Sequence, residues 1–443
     1  MREETVRAAP THHGSLGVAL HACDAVFDAI VVGGGIAGLA AAISARQHLS
    51  RVLLIEQAPI DFRGGDMRHA RNCRVAHLDA TPFSAGLYPP EEFVADINAA
   101  ANGNFELHWA ARLAAMSQAL PAWLTQQGVP LQSPQGGAIP ISRKTVFFLG
   151  GGKRALNALY AAAAAAGVEV AYQCQVTELK FQDPVPHGVI CRQGEISRRL
   201  AARAIILCSG GYQGDEAWLR EDWGDAASRF VLRGRRHAGG DLLRQLFSFG
   251  AQRIGTPRSC HLVAVDARAP LTDGGIVTRV ESMDRGQVVD GFGNIVHPVG
   301  TTEGKHGFAA WGRALAGCPG QIGFLILRGP AIPNQRMSIY QPLRDDDLLS
   351  LPPAVLQSPL LNPAEDAVIP IRPGIAFTTF GVRTDAAARI LWHGRPPGQA
   401  IFAAGMNMAG SIVQDRYLSG LAVSLAAVSG LVAGREAARH VLE

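Results

Sequence analysis

Gly33-Gly34-Gly35-Ile36-Ala37-Gly38 stands between two short apolar runs and constrains the fold more than any other stretch of this chain. Just before it, after Phe27, lies Asp28-Ala29-Ile30-Val31-Val32, a β-branched run that reads as a buried strand. Leu39 to Arg46 is Ala-rich with helical composition, and Arg51-Val52-Leu53-Leu54-Ile55-Glu56 is a second buried strand ending in an acid. Strand, turn, helix and strand thus follow one another within a unit of roughly 30 residues. In such a unit Gly33 permits the tight turn, Gly35 lets the backbone approach a pyrophosphate, and Gly38 lets helix and strand pack closely. The helix N-terminus offers free N–H groups and the positive end of its dipole to the phosphates. Glu56 is placed to accept a hydrogen bond from a ribose hydroxyl. A dinucleotide-binding α/β domain is therefore expected from residue 27 onward.

The remainder of the chain is long enough for more than this unit. Its 443 residues predict two to three domains at about 150 residues each. Apolar residues make up 48%, which supports a large core and excludes a wholly disordered chain. Glycine, at 50 residues, exceeds the usual share of about 7%, as nucleotide-binding folds with many close backbone approaches require. The net charge of +4 is too small to indicate nucleic acid. Seven widely spaced cysteines, Cys23, Cys73, Cys174, Cys191, Cys208, Cys260 and Cys318, form no CxxC or CxxCH motif. A zinc ribbon, an attached c-type haem and a sequence-obvious iron–sulfur site are excluded, and reduced thiols in a cytoplasmic protein are expected. No uninterrupted apolar run is long enough to predict a transmembrane helix. Residues 1–26 read as a disordered leader rather than a secretory signal.

Further segments separate FAD from NAD. Gly64-Gly65 closely follows the second strand, and Ala204-Ile205-Ile206-Leu207-Cys208-Ser209-Gly210-Gly211 is a buried strand running into a glycine pair. Ile401-Phe402-Ala403-Ala404-Gly405 reads as a late returning strand that ends in glycine, typical of FAD folds. Glu91 to Gln127 carries apolar residues at helical spacing. Ala155 to Ala166 is an Ala-rich helix stopped by Gly167, followed by a strand from Val168 to Val176. Pro-rich stretches at 330–342 and 352–373 read as connections. Arg68, Arg71 and Arg74 share one face if their segment is helical, where they could bind phosphate, a substrate carboxylate or another chain, or simply face solvent.

The stretches VVGGGIAGLAAA, RGGDMRHARNCR, YPPEEFVADINAAANG, GGGKRALNALYAAAAAAGVEVAY, ILCSGGY, SCHLVAVD, PIRPGIAFTTFGV and IFAAGMNMAGSIVQDRYLSGLAVSLAAVSGLVAG resemble the flavoprotein family of fumarate reductase and succinate dehydrogenase. The likeness runs from about residue 27 to 440, and FAAGMNMAG with RHARNCR points to the tricarballylate dehydrogenase branch. The resemblance implies an α/β fold: a discontinuous Rossmann-like FAD-binding domain, 27–220 and 350–443, with an inserted α+β substrate-capping domain, 221–349. It implies FAD held at Gly33, Gly35, Gly38, Glu56, Gly64, Gly65, Asp66, Ser209, Gly210 and Gly405, with Val176 touching adenine through its backbone. Asp66 stands where succinate dehydrogenases attach flavin covalently to a histidine, so noncovalent FAD is expected.

The activity so implied is hydride transfer between flavin N5 and a CH–CH bond of a small, carboxylate-bearing substrate. Arg416, six residues after Gly410, matches the family's substrate-clamping arginine, and His261 matches a substrate-binding histidine. Where the family pattern has another histidine this chain has Phe377, although Thr378 remains as a hydroxyl. The family's acid and arginine for proton relay on the cap are missing from Gly293 to Gly300, leaving His297, or Glu303, Lys305 and His306 downstream, as substitutes. The electron acceptor implied is a separate iron–sulfur and haem protein at the membrane. The alternative is a diverged flavoprotein subunit, or a desaturase of an uncharged steroid-like or tetrapyrrole-like molecule.

Overall fold

The computed structural model describes residues 26–133, 143–182, 185–272, 278–280, 283–298, 308–329, 340–397, 400–413 and 416–443. The N-terminal residues 1–25, Glu303, Lys305, His306, the proline-rich stretch 330–339 and Asp415 lie outside them.

The chain begins with strand β1 (Val26–Val32), helix α1 (Ile36–Arg46) and strand β2 (Val52–Ile55). After helices at Pro90–Ala101, Leu107–Ser117 and Leu120–Gln126 come helix α2 (Gly151–Ala165) and strands β3 (Glu169–Ala171), β4 (Cys174–Gln182), β5 (Val185–Gln193) and β6 (Ile196–Leu207). The expected single strand from Val168 to Val176 is two strands, because Gln173 takes a left-handed turn at φ 52° and Val176 falls in the second. Strands β3, β2, β1 and β6 lie side by side in parallel, and β5 and β4 extend the sheet by antiparallel pairing. Near the C-terminus strand β12 (Ile401–Ala403) returns to this sheet beside β6. Register aligns Val32 with both Ile55 and Leu207, and Leu207 with Ala403. Four carboxyl ends therefore finish at one level, which is where open α/β sheets bind ligands.

The second sheet contains β7 (Val231–Leu232), β8 (Cys260–Asp266), β9 (Gly286–Asp290), β10 (Gly323–Leu327) and β11 (Ala367–Thr378), with helix α3 (Phe308–Ala316) against it. β11 lies at its centre, between β8 and β10, although it comes from a stretch whose prolines read as a connection. Pro370 and Pro373 forgo two backbone donors, yet Val368, Ile369 and Ile371 around them are fully buried, so burial outweighs the lost bonds.

The last helix, α4 (Leu421–Leu442), is long and apolar enough to cross a membrane by length and composition, but most of it is buried against α1 and the first sheet. Close approach explains its small residues. A Cβ on Gly430 would lie 2.3 Å from the carbonyl oxygen of Ala37, and one on Gly434 would lie 2.2 Å from that of Ala41. The packing of α4 thus fixes the position of α1, whose first turn is the fingerprint.

Candidate functional site

A cavity of about 680 Å³ opens at the aligned strand ends and reaches the second sheet. One end is walled by the fingerprint. Gly33 has φ 104°, and a Cβ there would come within 2.4 Å of the Cys208 carbonyl oxygen, so the turn admits only glycine. Gly35 caps α1 with no side chain bonded to the first turn, leaving backbone donors for an anion. A Cβ on Gly35 would meet its nearest atom at 3.7 Å and one on Gly210 would meet nothing within 4 Å, so room remains where a pyrophosphate would lie. Both Gly65 and Gly405 line this wall at positive φ, with Val176 and Ser209.

Glu56 ties the wall together. Its buried carboxylate accepts from the amides of Gly34 at 3.2 Å, Gly64 at 3.2 Å and Ala58 at 2.8 Å. Tyr160 donates its hydroxyl to the Gly34 carbonyl at 2.8 Å, and burial holds its phenol well above the ordinary range. Asn407, not singled out by sequence, joins two ligand-facing turns: its Oδ1 accepts from the Gly210 amide at 3.1 Å and its Nδ2 donates to Ser209 Oγ at 3.2 Å. These glycines, amides and the open cradle fit FAD.

The opposite end is cationic and aromatic. His261 stands on β8 where the register against β11 shifts, a bulge that re-aims its side chain. Its ring packs 4.3 Å from Tyr417 and 5.3 Å from Phe377, and its buried Nδ1 has no hydrogen-bond partner. Burial first, and then the charges of Arg233, Arg279 and Arg313, push its pKa down to about 3, so the ring is neutral. Arg233 leaves β7 with its amide bonded to the Ile375 carbonyl at 2.8 Å, and Arg279 sits in a bridge to Val265 of β8. Arg71 also lines this end of the cavity, from the turn just before the short strand Asn72–Arg74. Neither Arg233 nor Arg279 stood out in the sequence. The Arg-Gly-Arg-Arg-His run at 233–237 was the one available signal, and a single Arg279 gives none.

The predicted site residues divide accordingly. His261, Asp66 and the glycine-rich segments share the cavity. Arg416 does not: it is exposed and off the cavity wall, while Tyr417 turns inward in its place. Thr378 is fully buried, and its hydroxyl accepts from the Tyr212 amide at 2.9 Å, so it holds a loop instead of facing the cavity. His297 is exposed and also absent from the wall. The arginines at 68, 71 and 74 do not share a helical face, because a short 3-10 turn ends at His69 and a strand starts at Asn72. Arg68 donates to the Asp61 carbonyl at 2.9 Å, and buried Arg74 bonds Tyr88 at 2.6 Å and Asp96 at 3.0 Å, so Arg71 alone of the three lines the cavity.

Asp66 accepts from Gln213 Nε2 at 2.8 Å and the Arg235 amide at 3.1 Å. Burial raises its carboxyl from 3.8 to about 7, against the lowering effect of those bonds and of Arg235 and Arg233. The folded chain therefore holds this proton more tightly than the unfolded one, and Asp66 lowers stability as pH climbs from about 4 to about 7. His261 acts oppositely: its contribution is present above its ordinary 6.5 and is lost as pH falls toward 3. The two slopes oppose each other through the mildly acid range. Asp66→Asn, which removes the titrating group and keeps one acceptor oxygen for one of the two bonds, should make the thermal midpoint of the flavin-free protein rise with pH where the wild type is level. Parallel midpoint-against-pH curves for the two proteins would show that Asp66 stays ionised.

Comparison with known proteins agrees with the geometry. A family profile described as FAD binding domain matches residues 28–265, more than half of the chain. The chain belongs to this family of FAD-binding flavoproteins, and it is a flavin-dependent oxidoreductase. No curated protein sequence matches it. Among solved structures it is similar to the open conformation of a flavocytochrome c3 fumarate reductase, at 20% identity and TM-score 0.78, covering 96% of this chain and 80% of that one. It is also similar to 3-ketosteroid-Δ4-(5α)-dehydrogenase from Rhodococcus jostii RHA1, at 20% identity and TM-score 0.72, covering 94% and 97%. A quinol–fumarate reductase with menaquinol matches at 17% identity and TM-score 0.64, covering 94% and 71%. At these identities the shared property is the fold.

Proposed function

We propose that the protein oxidises or reduces a CH–CH bond of a small carboxylate-bearing molecule, in the manner of a tricarballylate dehydrogenase. The observation that carries this is a single cavity with a dinucleotide cradle at one end and arginines around a neutral histidine at the other. Bound FAD supplies a hydride acceptor or donor. The fingerprint turn, Glu56 and the Ser209–Gly210 turn would hold it, and Val176 and Gly405 line the same cavity. Phe377 and Tyr417 keep water from the reacting carbon, and neutral His261 offers a ring nitrogen to the substrate. Asp66, titrating near neutrality, holds or releases a proton at its carboxylate. The test is anaerobic: tricarballylate, succinate and fumarate-type acids are mixed with the holoenzyme, and flavin absorbance is followed in both oxidised and pre-reduced forms. Bleaching or recovery with a carboxylate supports the reading, and no change with any acid excludes it.

An uncharged substrate is the second reading, and it is favoured by one observation: the fold is shared with a ketosteroid dehydrogenase as well as with a fumarate reductase. A steroid dione in the same panel decides between them. The flavin is taken to be noncovalent, since Asp66 stands in the attachment position. Acid precipitation should release the yellow chromophore to the supernatant; colour retained in the pellet would mean a covalent link. Electrons are taken to pass to a separate iron–sulfur or haem protein, with the enzyme itself cytoplasmic or peripheral to the membrane through that partner. Slow reoxidation by oxygen and little reduction by NADH are the expected results.

A further inference from the structure

We propose that Arg74 is a positioning residue for the oxidoreductase site: without lining the cavity itself, it fixes residues 417–420 and through them holds the Tyr417 ring against His261. Tyr417, Ser419 and Gly420 all line the cavity, and the Tyr417 ring lies 4.3 Å from that of His261. Arg74 ends the short strand Asn72–Arg74 and is 6% exposed. Ties run from this strand to the start of α4. The Arg74 amide donates to the Gly420 carbonyl at 3.2 Å, and its Nε donates to the Ser419 carbonyl at 3.2 Å. The Arg74 carbonyl accepts from Ser424 Oγ at 2.5 Å, and Asn72 Nδ2 donates to Ser419 Oγ at 3.2 Å. Backbone meets backbone here: a Cβ on Gly420, at φ 77°, would lie 2.6 Å from the Arg74 amide nitrogen.

The guanidinium is itself held from its other end. Nη1 donates to Tyr88 Oη at 2.6 Å and to Asp96 Oδ2 at 3.0 Å, while Tyr88 and Lys144 Nζ each donate to the same Asp96 oxygen at 2.7 Å. Asp96 belongs to the helix Pro90–Ala101, so Arg74 links that helix to Ser419. A buried ion pair is a weak source of stability, because desolvation cancels much of its attraction. What it adds here is direction: with Nη1 drawn to Asp96, the planar fork leaves Nε aimed at the Ser419 carbonyl. The hydroxyl end of Tyr417 depends on the same residues. Burial raises its pKa to about 12, against the lowering effect of the Ala422 amide, the Arg74 charge and the Gly420 amide. The turn that Arg74 holds therefore sets the phenol end of this ring, and His261 and Phe377 pack against its body. This positioning is the same whether the substrate is charged or not.

The test reads the ring directly. The chain has six tyrosines, so the holoenzyme labelled with 3-fluorotyrosine gives six fluorine resonances. Tyr417→Phe and Tyr88→Phe assign the two that matter. Arg74→Lys, Arg74→Gln and Asp96→Asn should each shift and broaden the Tyr417 resonance, the glutamine variant most and Asp96→Asn least. A side chain that merely packs would move the Tyr88 resonance and the thermal midpoint and leave Tyr417 in place. Flavin reduction is measured with whichever of tricarballylate, succinate and a steroid dione bleaches the wild type. Its rate should fall on the order of 10- to 100-fold in Arg74→Gln, as for a displaced reacting group. Arg74→Lys should recover part of it, having the charge without the planar fork. Adding Arg74→Lys to Tyr417→Ala should cost almost nothing more, since both act through one ring. If Arg74→Gln does not fold, Arg74→Lys and Asp96→Asn decide. An unmoved Tyr417 resonance in those two variants, or full additivity of Arg74→Lys with Tyr417→Ala, would overturn the proposal. If none of the three compounds bleaches the flavin, the proposed substrates fail, and the resonances alone decide the role of Arg74.

Discussion

Glu56→Ala should yield a protein that has lost FAD through purification, with an affinity at least about 100-fold weaker than the wild type. The size follows from what the carboxylate does. It gathers the amides of Gly34, Ala58 and Gly64 onto one buried charge, at 2.8 to 3.2 Å. Hydrogen bonds to a charged group contribute about 1.5–3 kcal/mol each, and truncation leaves several buried donors without an acceptor. Two of those amides belong to turns that face the dinucleotide, so their loosening is felt at the pyrophosphate as well as at the ribose. Glu56→Gln keeps the shape and one acceptor oxygen, and should fall between the two. The flavin-to-protein ratio after gel filtration, and Kd from flavin fluorescence quenching, measure the effect. An alanine variant that keeps stoichiometric flavin at wild-type affinity would confine Glu56 to a packing role.

The second large effect is expected far from any ligand. Gly430→Ala and Gly434→Ala place a methyl group 2.3 and 2.2 Å from the carbonyl oxygens of Ala37 and Ala41, so α1 and α4 must separate. Overpacking of this kind costs about 1–3 kcal/mol per site. Alanine gains about 1 kcal/mol of helix propensity over glycine, which offsets part of the cost. The double variant should therefore unfold at a clearly lower urea midpoint. Gly430→Ala should weaken FAD binding more than Gly434→Ala, because Ala37 lies in the first turn of α1 and Ala41 a turn beyond. A midpoint that rises, as for an exposed helical glycine, would show that the helices tolerate a wider spacing.

Asp66 shows how a residue's place in the chain can be visible in sequence while its character is not. Its position after the glycine pair was visible from the chain, but its tight proton was not. That property arises from burial, which outweighs the opposing bonds from Gln213 and the Arg235 amide, groups brought in from far along the chain. Arg416 and Tyr417 make the same point more sharply. Adjacent in sequence, they differ in surroundings: Arg416 is exposed, and its aromatic neighbour packs beside His261.

The nucleotide end of the cavity was determined by sequence alone because its parts are local. A strand, a glycine turn, a helix and an acid lie within one continuous segment, and backbone sterics dictate which positions must be glycine. The returning strand Ile401–Ala403 and the glycine at 405 were legible for the same reason. The substrate end was decided by tertiary structure. Arg71, Arg233, His261 and Arg279 come from four segments with no shared period or motif; the register of β7, β8 and β11 places Arg233 and His261, a bridge to Val265 adds Arg279, and Arg71 joins them from the turn before Asn72–Arg74. An isolated arginine has the same appearance in sequence whether it meets water or a substrate. What separates the two is which loops the sheet brings together, and that follows from burying apolar strands such as β11, whose own prolines argued against it.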